Sequence, residues 1–130
     1  MRILLDTHYL LWSFIETKKL EKRILDLLLS SENEIFYSQA SLWEISIKYS
    51  LGKLEINGMT PEGLYEEIET GYYSNLRLEN DDLVSYYQLA IEHRDPFDRI
   101  MIWQSIRKDI HFLSSDSKVK NYEKYGLKLI

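Results

Sequence analysis

Ile3-Leu4-Leu5-Asp6 is apolar until its aspartate closes the run. A short unbroken apolar run with a polar stop is the pattern of a strand buried on both faces, and such strands belong to parallel sheets. Thr7 to Ile15 then reads as a helix rich in apolar side chains. Leu20 to Ser30 reads as a second, with Ile24, Leu27 and Leu28 on its buried stripe. Glu34 to Ser38 is a second strand, followed by a helix from Gln39 or Ala40 to about Leu51 that stops at Gly52. Thr60-Pro61 caps and opens another helix, and Asn75 to Leu78 is a weak third strand. Asn80 to about Glu92 is predicted helical, Asp95 caps the next helix, and His111 to Ser114 is a fourth strand. A short helix and an edge strand over Leu127 to Ile130 finish the chain. Strands alternating with helices predict a three-layer α/β/α sandwich, with about five parallel strands and one domain over residues 1–130.

Composition narrows the classes. The chain has 130 residues, 45% hydrophobic and 28% charged, which suits a globular fold and excludes a disordered one. Its formal net charge of -5 gives no bulk attraction to nucleic acid, so an RNA-handling role needs cations or a local basic patch. The absence of cysteine excludes disulfides and thiolate metal sites. The first apolar run is too short for a signal peptide, and no stretch approaches the roughly 20 apolar residues of a membrane span. A cytoplasmic protein without membrane association is expected.

The richest chemistry stands in His93-Arg94-Asp95-Pro96-Phe97-Asp98-Arg99. Pro96 suits the first helical position with Asp95 as its cap, which puts Asp98 in the first turn beside the positive end of the helix dipole. Open α/β sheets bind ligands at the carboxyl ends of their strands. Asp6 ends the first strand there and Asp116 the fourth, while Asp98 opens the helix before the fourth. Each of these acids also has a plain reading as a helix cap or a salt-bridge partner. Arg94 and Arg99 either hold substrate phosphates or pair with nearby acids.

Glu44 fits the plain readings worst. Its helical neighbours Ala40, Ile47 and Leu51 are apolar, and a lone buried carboxylate costs several kcal/mol. It either binds metal or pairs with Lys48 four residues on. Acids from four separate segments repel one another unless hard divalent cations such as Mg²⁺ or Mn²⁺ offset them. Such a centre can activate water for phosphodiester hydrolysis. The hydroxyls of Thr7, Ser114 and Ser115 are placed to orient the neighbouring carboxylates.

Four motifs occur in order: Leu4-Leu5-Asp6-Thr7-His8; Ala40-Ser41-Leu42-Trp43-Glu44-Ile45 with Leu51-Gly52-Lys53-Leu54; the His93 to Arg99 stretch; and Leu113-Ser114-Ser115-Asp116. Across essentially the whole chain they resemble the PIN-domain ribonucleases, and most closely the VapC toxins of bacterial toxin–antitoxin pairs. The resemblance implies Mg²⁺ or Mn²⁺ held by a catalytic acidic quartet, here Asp6, Glu44, Asp98 and Asp116. Asp95 is implied as an additional ligand or a cap. It further implies cleavage of tRNA or other structured RNA, a homodimer, and inhibition by a VapB-like antitoxin whose tail covers the active site. Ser114 departs from the family pattern, where threonine is frequent.

His8 is expected to pack or hydrogen-bond rather than act as a base. Trp12, Phe14 and Trp43 are expected either in the core or in a groove that receives an antitoxin helix. Two alternatives compete with the nuclease. One is an aspartate-nucleophile phosphatase, which the histidine at position 8 disfavours because such enzymes place a second aspartate there. The other is a binding module without catalysis.

Overall fold

Five parallel strands lie in the order β3-β2-β1-β4-β5: β1 (Arg2–Leu5), β2 (Glu34–Ser38), β3 (Ser74–Leu76), β4 (His111–Leu113) and β5 (Lys128–Leu129). The computed structural model describes all 130 residues. Six α-helices connect the strands: α1 (Thr7–Ile15), α2 (Lys22–Leu29), α3 (Gln39–Ser50), α4 (Pro61–Thr70), α5 (Asn80–Ser85) and α6 (Pro96–Lys108). No helix is long and apolar enough to cross a membrane.

The central strand carries out what its apolar run dictates. Leu4 pairs in register with Phe36 and Phe112 and packs on one face with Met101, Ile102 and Tyr122. Ile3 and Leu5 point to the other face, with Leu20, Ile24 and Leu113. All three β1 leucine and isoleucine side chains are 0% exposed, so this strand is buried on both faces. A third cluster, built on Leu10, Tyr37, Ile45 and Leu64, joins α1, α3 and α4.

The strand order places a topological switch between β1 and β4. The chain leaves β1 towards β2 on one side and returns, after β3, to β4 on the other. Ligand sites of open α/β sheets form at such a point, outside the strands' carboxyl ends. The Asp6 backbone N–H donates to the Leu113 carbonyl at 2.9 Å, so the two strand exits stand side by side.

Three segments differ from their predicted form. The second helix starts later, at Lys22, after a 3-10 turn over Thr17–Lys19. The segment before β5 is a 3-10 helix, Ser117–Tyr125, closed by Gly126 at φ +101°. The helix predicted to reach Glu92 ends at Ser85, and a 3-10 turn, Tyr86–Gln88, follows. Two buried side chains explain the early stop by taking up the backbone polar groups that a longer helix would pair internally. The Arg99 guanidinium donates to the carbonyls of Leu89 and Ala90, and the Tyr122 hydroxyl accepts from the backbone nitrogens of Glu92 and His93.

Candidate active site

Asp6, Asp95 and Asp116 are all caps, and Asp6 and Asp116 are more than caps. Asp6 Oδ1 accepts from the Tyr9 backbone nitrogen at the start of α1. Asp95 Oδ1 accepts from Phe97 at the start of α6, and Asp116 Oδ1 from Lys118 in the 3-10 helix. Each carboxylate thereby spends one oxygen on a helix terminus and keeps a second. For Asp6 and Asp116 that second oxygen turns into a shared polar cluster.

Asp6 Oδ2 accepts from the Ser114 hydroxyl at 3.0 Å, the Ser115 backbone nitrogen at 2.7 Å and the Ser115 hydroxyl at 3.1 Å. Ser114 Oγ also accepts from the Asp116 backbone nitrogen at 3.1 Å, linking the two strand-end acids through one hydroxyl. Asp116 Oδ2 lies 2.7 Å from His93 Nε2, and Asp98 Oδ2 lies 3.2 Å from the same nitrogen. The ligand atoms of His93, Asp98 and Asp116 all fall within 4.8 Å of one another.

Glu44 is 4% exposed and makes no hydrogen bond to this cluster, though its charge is felt at Asp98. Thr7 Oγ1 donates to its Oε1 at 2.6 Å, and the Lys48 ammonium pairs with its Oε2. The Lys48 partnership weighed from the sequence is therefore present in the structure. Thr7 serves Glu44 and Ser41 rather than Asp6, whereas Ser114 and Ser115 do hold Asp6. None of the five main clefts is lined by all four acids. A cleft of about 170 Å³ reaches Asp116, Ser114 and Ser115 together with Ser117 and Lys120.

The clustered charge shows in the acids' proton affinities. Burial first, then the negative charges of Asp95, Asp6 and Glu44, push Asp98 up to about 7 from an ordinary 3.8, with His93 opposing. Asp116 is held below the usual carboxylate range, chiefly by the Lys118 backbone N–H, which outweighs burial, and further by its bond from His93.

Of the two arginines, one stands away from the place the sequence suggested. Arg99 does not reach the acids. It is 8% exposed and donates to Tyr86 Oη, Tyr122 Oη and the carbonyls of Leu89, Ala90 and His93. A helix stripe with Arg99 one turn before Trp103 carries it to the inner side of α6, where it ties down the preceding loop. Arg94, between His93 and Asp95, is exposed. His8 is also exposed, 3.3 Å from the Ser115 hydroxyl through Nδ1.

Sequence reasoning gave no role to His93, which is 7% exposed at the centre of the cluster. Its signal was its place two residues before the Asp95 cap, close enough for its ring to accept the cap's backbone N–H. Of the two places expected for Trp43, the core is not the one it takes. It is 65% exposed, meets Phe97 edge-on at 5.4 Å, and helps line an apolar groove of about 260 Å³ with Leu78, Leu83 and Ile100.

The structure defines an α/β protein whose acidic side chains gather at the switch point of a parallel sheet. The PIN domain family model matches residues 3–125, so the chain belongs to the PIN-domain family, and its class is that of a nuclease. Similar solved structures include VapBC2 from Rickettsia felis bound to a DNA fragment from its promoter (15% identity, TM-score 0.69, covering 100% of this chain and 98% of that one). VapBC-1 from nontypeable Haemophilus influenzae aligns with 16% identity and a TM-score of 0.70, over 100% of this chain and 97% of the other. FitAcB from Neisseria gonorrhoeae aligns with 16% identity and a TM-score of 0.67, over 98% and 96%. At these identities the likeness is one of fold. No curated protein sequence matches the chain.

Proposed function

We propose that this chain is a divalent-metal-dependent endoribonuclease, the toxin of a VapBC-type toxin–antitoxin module acting in the cytoplasm. One observation carries the reading: Asp98 and Asp116 converge on a single nitrogen, with Asp6 one serine hydroxyl away, at the carboxyl ends of β1 and β4. The donor set fits a hard cation. It is built of carboxylates with no thiolate, and burial together with their crowding raises the proton affinity of Asp98, a cost that a divalent ion would offset.

Asp6, Asp98 and Asp116 would hold Mg²⁺ or Mn²⁺, and Asp95 stands beside them with one carboxylate oxygen left over from capping. Glu44 completes the quartet by turning Oε2 away from Lys48, whose ammonium already lies in the field of Asp95 and Asp98. When bound, the cation would offset the negative charge that builds on the phosphate oxygens and would make a water more acidic. The chain's own part is positioning. Ser114 and Ser115 fix Asp6, Thr7 fixes Glu44, and the helix-capping bonds hold Asp6, Asp95 and Asp116 in place before substrate arrives. Arg94 and the rim residues Lys118 and Lys120 supply the local positive charge that an acidic protein needs to receive RNA phosphates.

The partners follow from the same reading: structured RNA such as tRNA as substrate, a VapB-like antitoxin, and a second copy in a homodimer. Full-length likeness to chains from complexes named VapBC and FitAcB supports the antitoxin. The purified protein should cleave RNA with Mg²⁺ present and stop when it is chelated, and Asp6→Asn or Asp98→Asn should abolish cleavage in a folded protein. Full cleavage by either variant refutes the site.

A further inference from the structure

His93 is the one buried imidazole of the cluster, and its two ring nitrogens have different work. Nδ1 lies 3.0 Å from the backbone nitrogen of Asp95. A backbone N–H can only donate, so Nδ1 must present its lone pair. The ring proton then sits on Nε2, which faces Asp116 Oδ2 at 2.7 Å and Asp98 Oδ2 at 3.2 Å. Those two acids come from different elements, one opening α6 and the other following β4. His93 is anchored in turn by its own backbone nitrogen, which donates to Tyr122 Oη at 3.0 Å.

By distance alone, His93, Asp98 and Asp116 form a three-ligand metal set. The Asp95 contact decides against that reading. To ligate a cation through Nε2, the ring would have to move its proton to Nδ1, which would then oppose the Asp95 N–H, donor against donor. The geometry points instead to a positioning residue: we infer that His93, protonated on Nε2, brackets Asp98 and Asp116 as a hydrogen-bond donor and sets their spacing for a cation it does not itself bind. This role presupposes the cation site proposed above. It adds that the loop before α6, otherwise irregular, exists to deliver one imidazole N–H between two carboxylates.

Three substitutions separate the parts of the ring. His93→Gln can place an amide N–H where Nε2–H stood. His93→Asn supplies only an acceptor near the Nδ1 position, and His93→Phe fills the space with neither. In calorimetric titration of the full chain with Mn²⁺ alone, the Gln variant should stay within about threefold of wild type, and the Asn and Phe variants should weaken at least about tenfold. Proton–nitrogen correlation spectra of nitrogen-labelled wild type should show the His93 proton on Nε2, a readout that stands even where a variant fails to fold. A proton on Nδ1, or an Asn variant that binds Mn²⁺ as wild type does, overturns the role of His93 and leaves the nuclease reading standing. Wild-type protein that takes up no Mn²⁺ overturns both.

Discussion

The Tyr122 hydroxyl lies 3.0 Å from the His93 backbone nitrogen, fastening the loop before α6 to the last helical segment of the chain. The same oxygen accepts from Glu92 N and from Arg99 Nη1, and donates to the Ala90 carbonyl. One buried phenol oxygen thus gathers four groups from the loop before α6 and from α6 itself. Tyr122→Phe removes it while conserving shape, and should cost about 2–3 kcal/mol, because buried polar groups lose their partner. Chemical denaturation measures the loss, and amide hydrogen exchange should quicken at Glu92 and His93. Unchanged exchange at both amides contradicts this account of the loop.

Asp98 should make the metal-free protein less stable as pH rises. Its proton affinity is raised from 3.8 to about 7 on folding, so between those values the unfolded chain releases the proton first. The stability present below pH ~4 is then lost as pH climbs through ~7. Asp98→Asn has no charge to lose. Without divalent ions it should melt with wild type near pH 4 and exceed it by about 1–2 kcal/mol at pH 8, a figure discounted from the full linkage value for partial solvent screening. Thermal melts across pH test this, and a variant less stable than wild type at pH 8 contradicts it.

Lys48 supplies the positive charge beside Glu44 in this structure, with its side chain 40% exposed and that of Glu44 only 5%. Lys48→Met leaves a buried carboxylate with Thr7 as its remaining donor, and should cost about 1–2 kcal/mol without divalent ions. Saturating Mg²⁺ should narrow the gap to wild type, because the cation takes over the role of the ammonium. An equal loss with and without Mg²⁺, read by denaturant titration, means that Glu44 belongs to a salt bridge alone.

Much of this was legible in the chain. The apolar run of β1, the glycine stop after α3 and the Asp95-Pro96 start of α6 are local signals, and the structure follows them because local geometry and burial agree. Capping and site chemistry looked like competing explanations for Asp6 and Asp116. They coexist because a carboxylate has two oxygens and a strand end feeding a helix points them in different directions. The loop from Tyr86 to Asp95 was not legible. Its helical propensity loses to Arg99 and Tyr122, and those contacts lie 9 and 32 residues from the Ala90 carbonyl they share. His93 stayed hidden for the same reason, since its meaning depends on Asp116, 23 residues away. Arg99 stands away from the acids its sequence position suggested, because five acceptors on the preceding loop and on Tyr122 hold it inside.

The central claim is that Asp6, Asp98 and Asp116 meet in order to share a cation. Crystals of the protein soaked in Mn²⁺ and measured at the manganese absorption edge test it most directly. The account predicts an anomalous peak in contact with carboxylate oxygens of all three aspartates, and its disappearance in Asp98→Asn. A peak elsewhere, or no peak in wild-type crystals that diffract well, contradicts it.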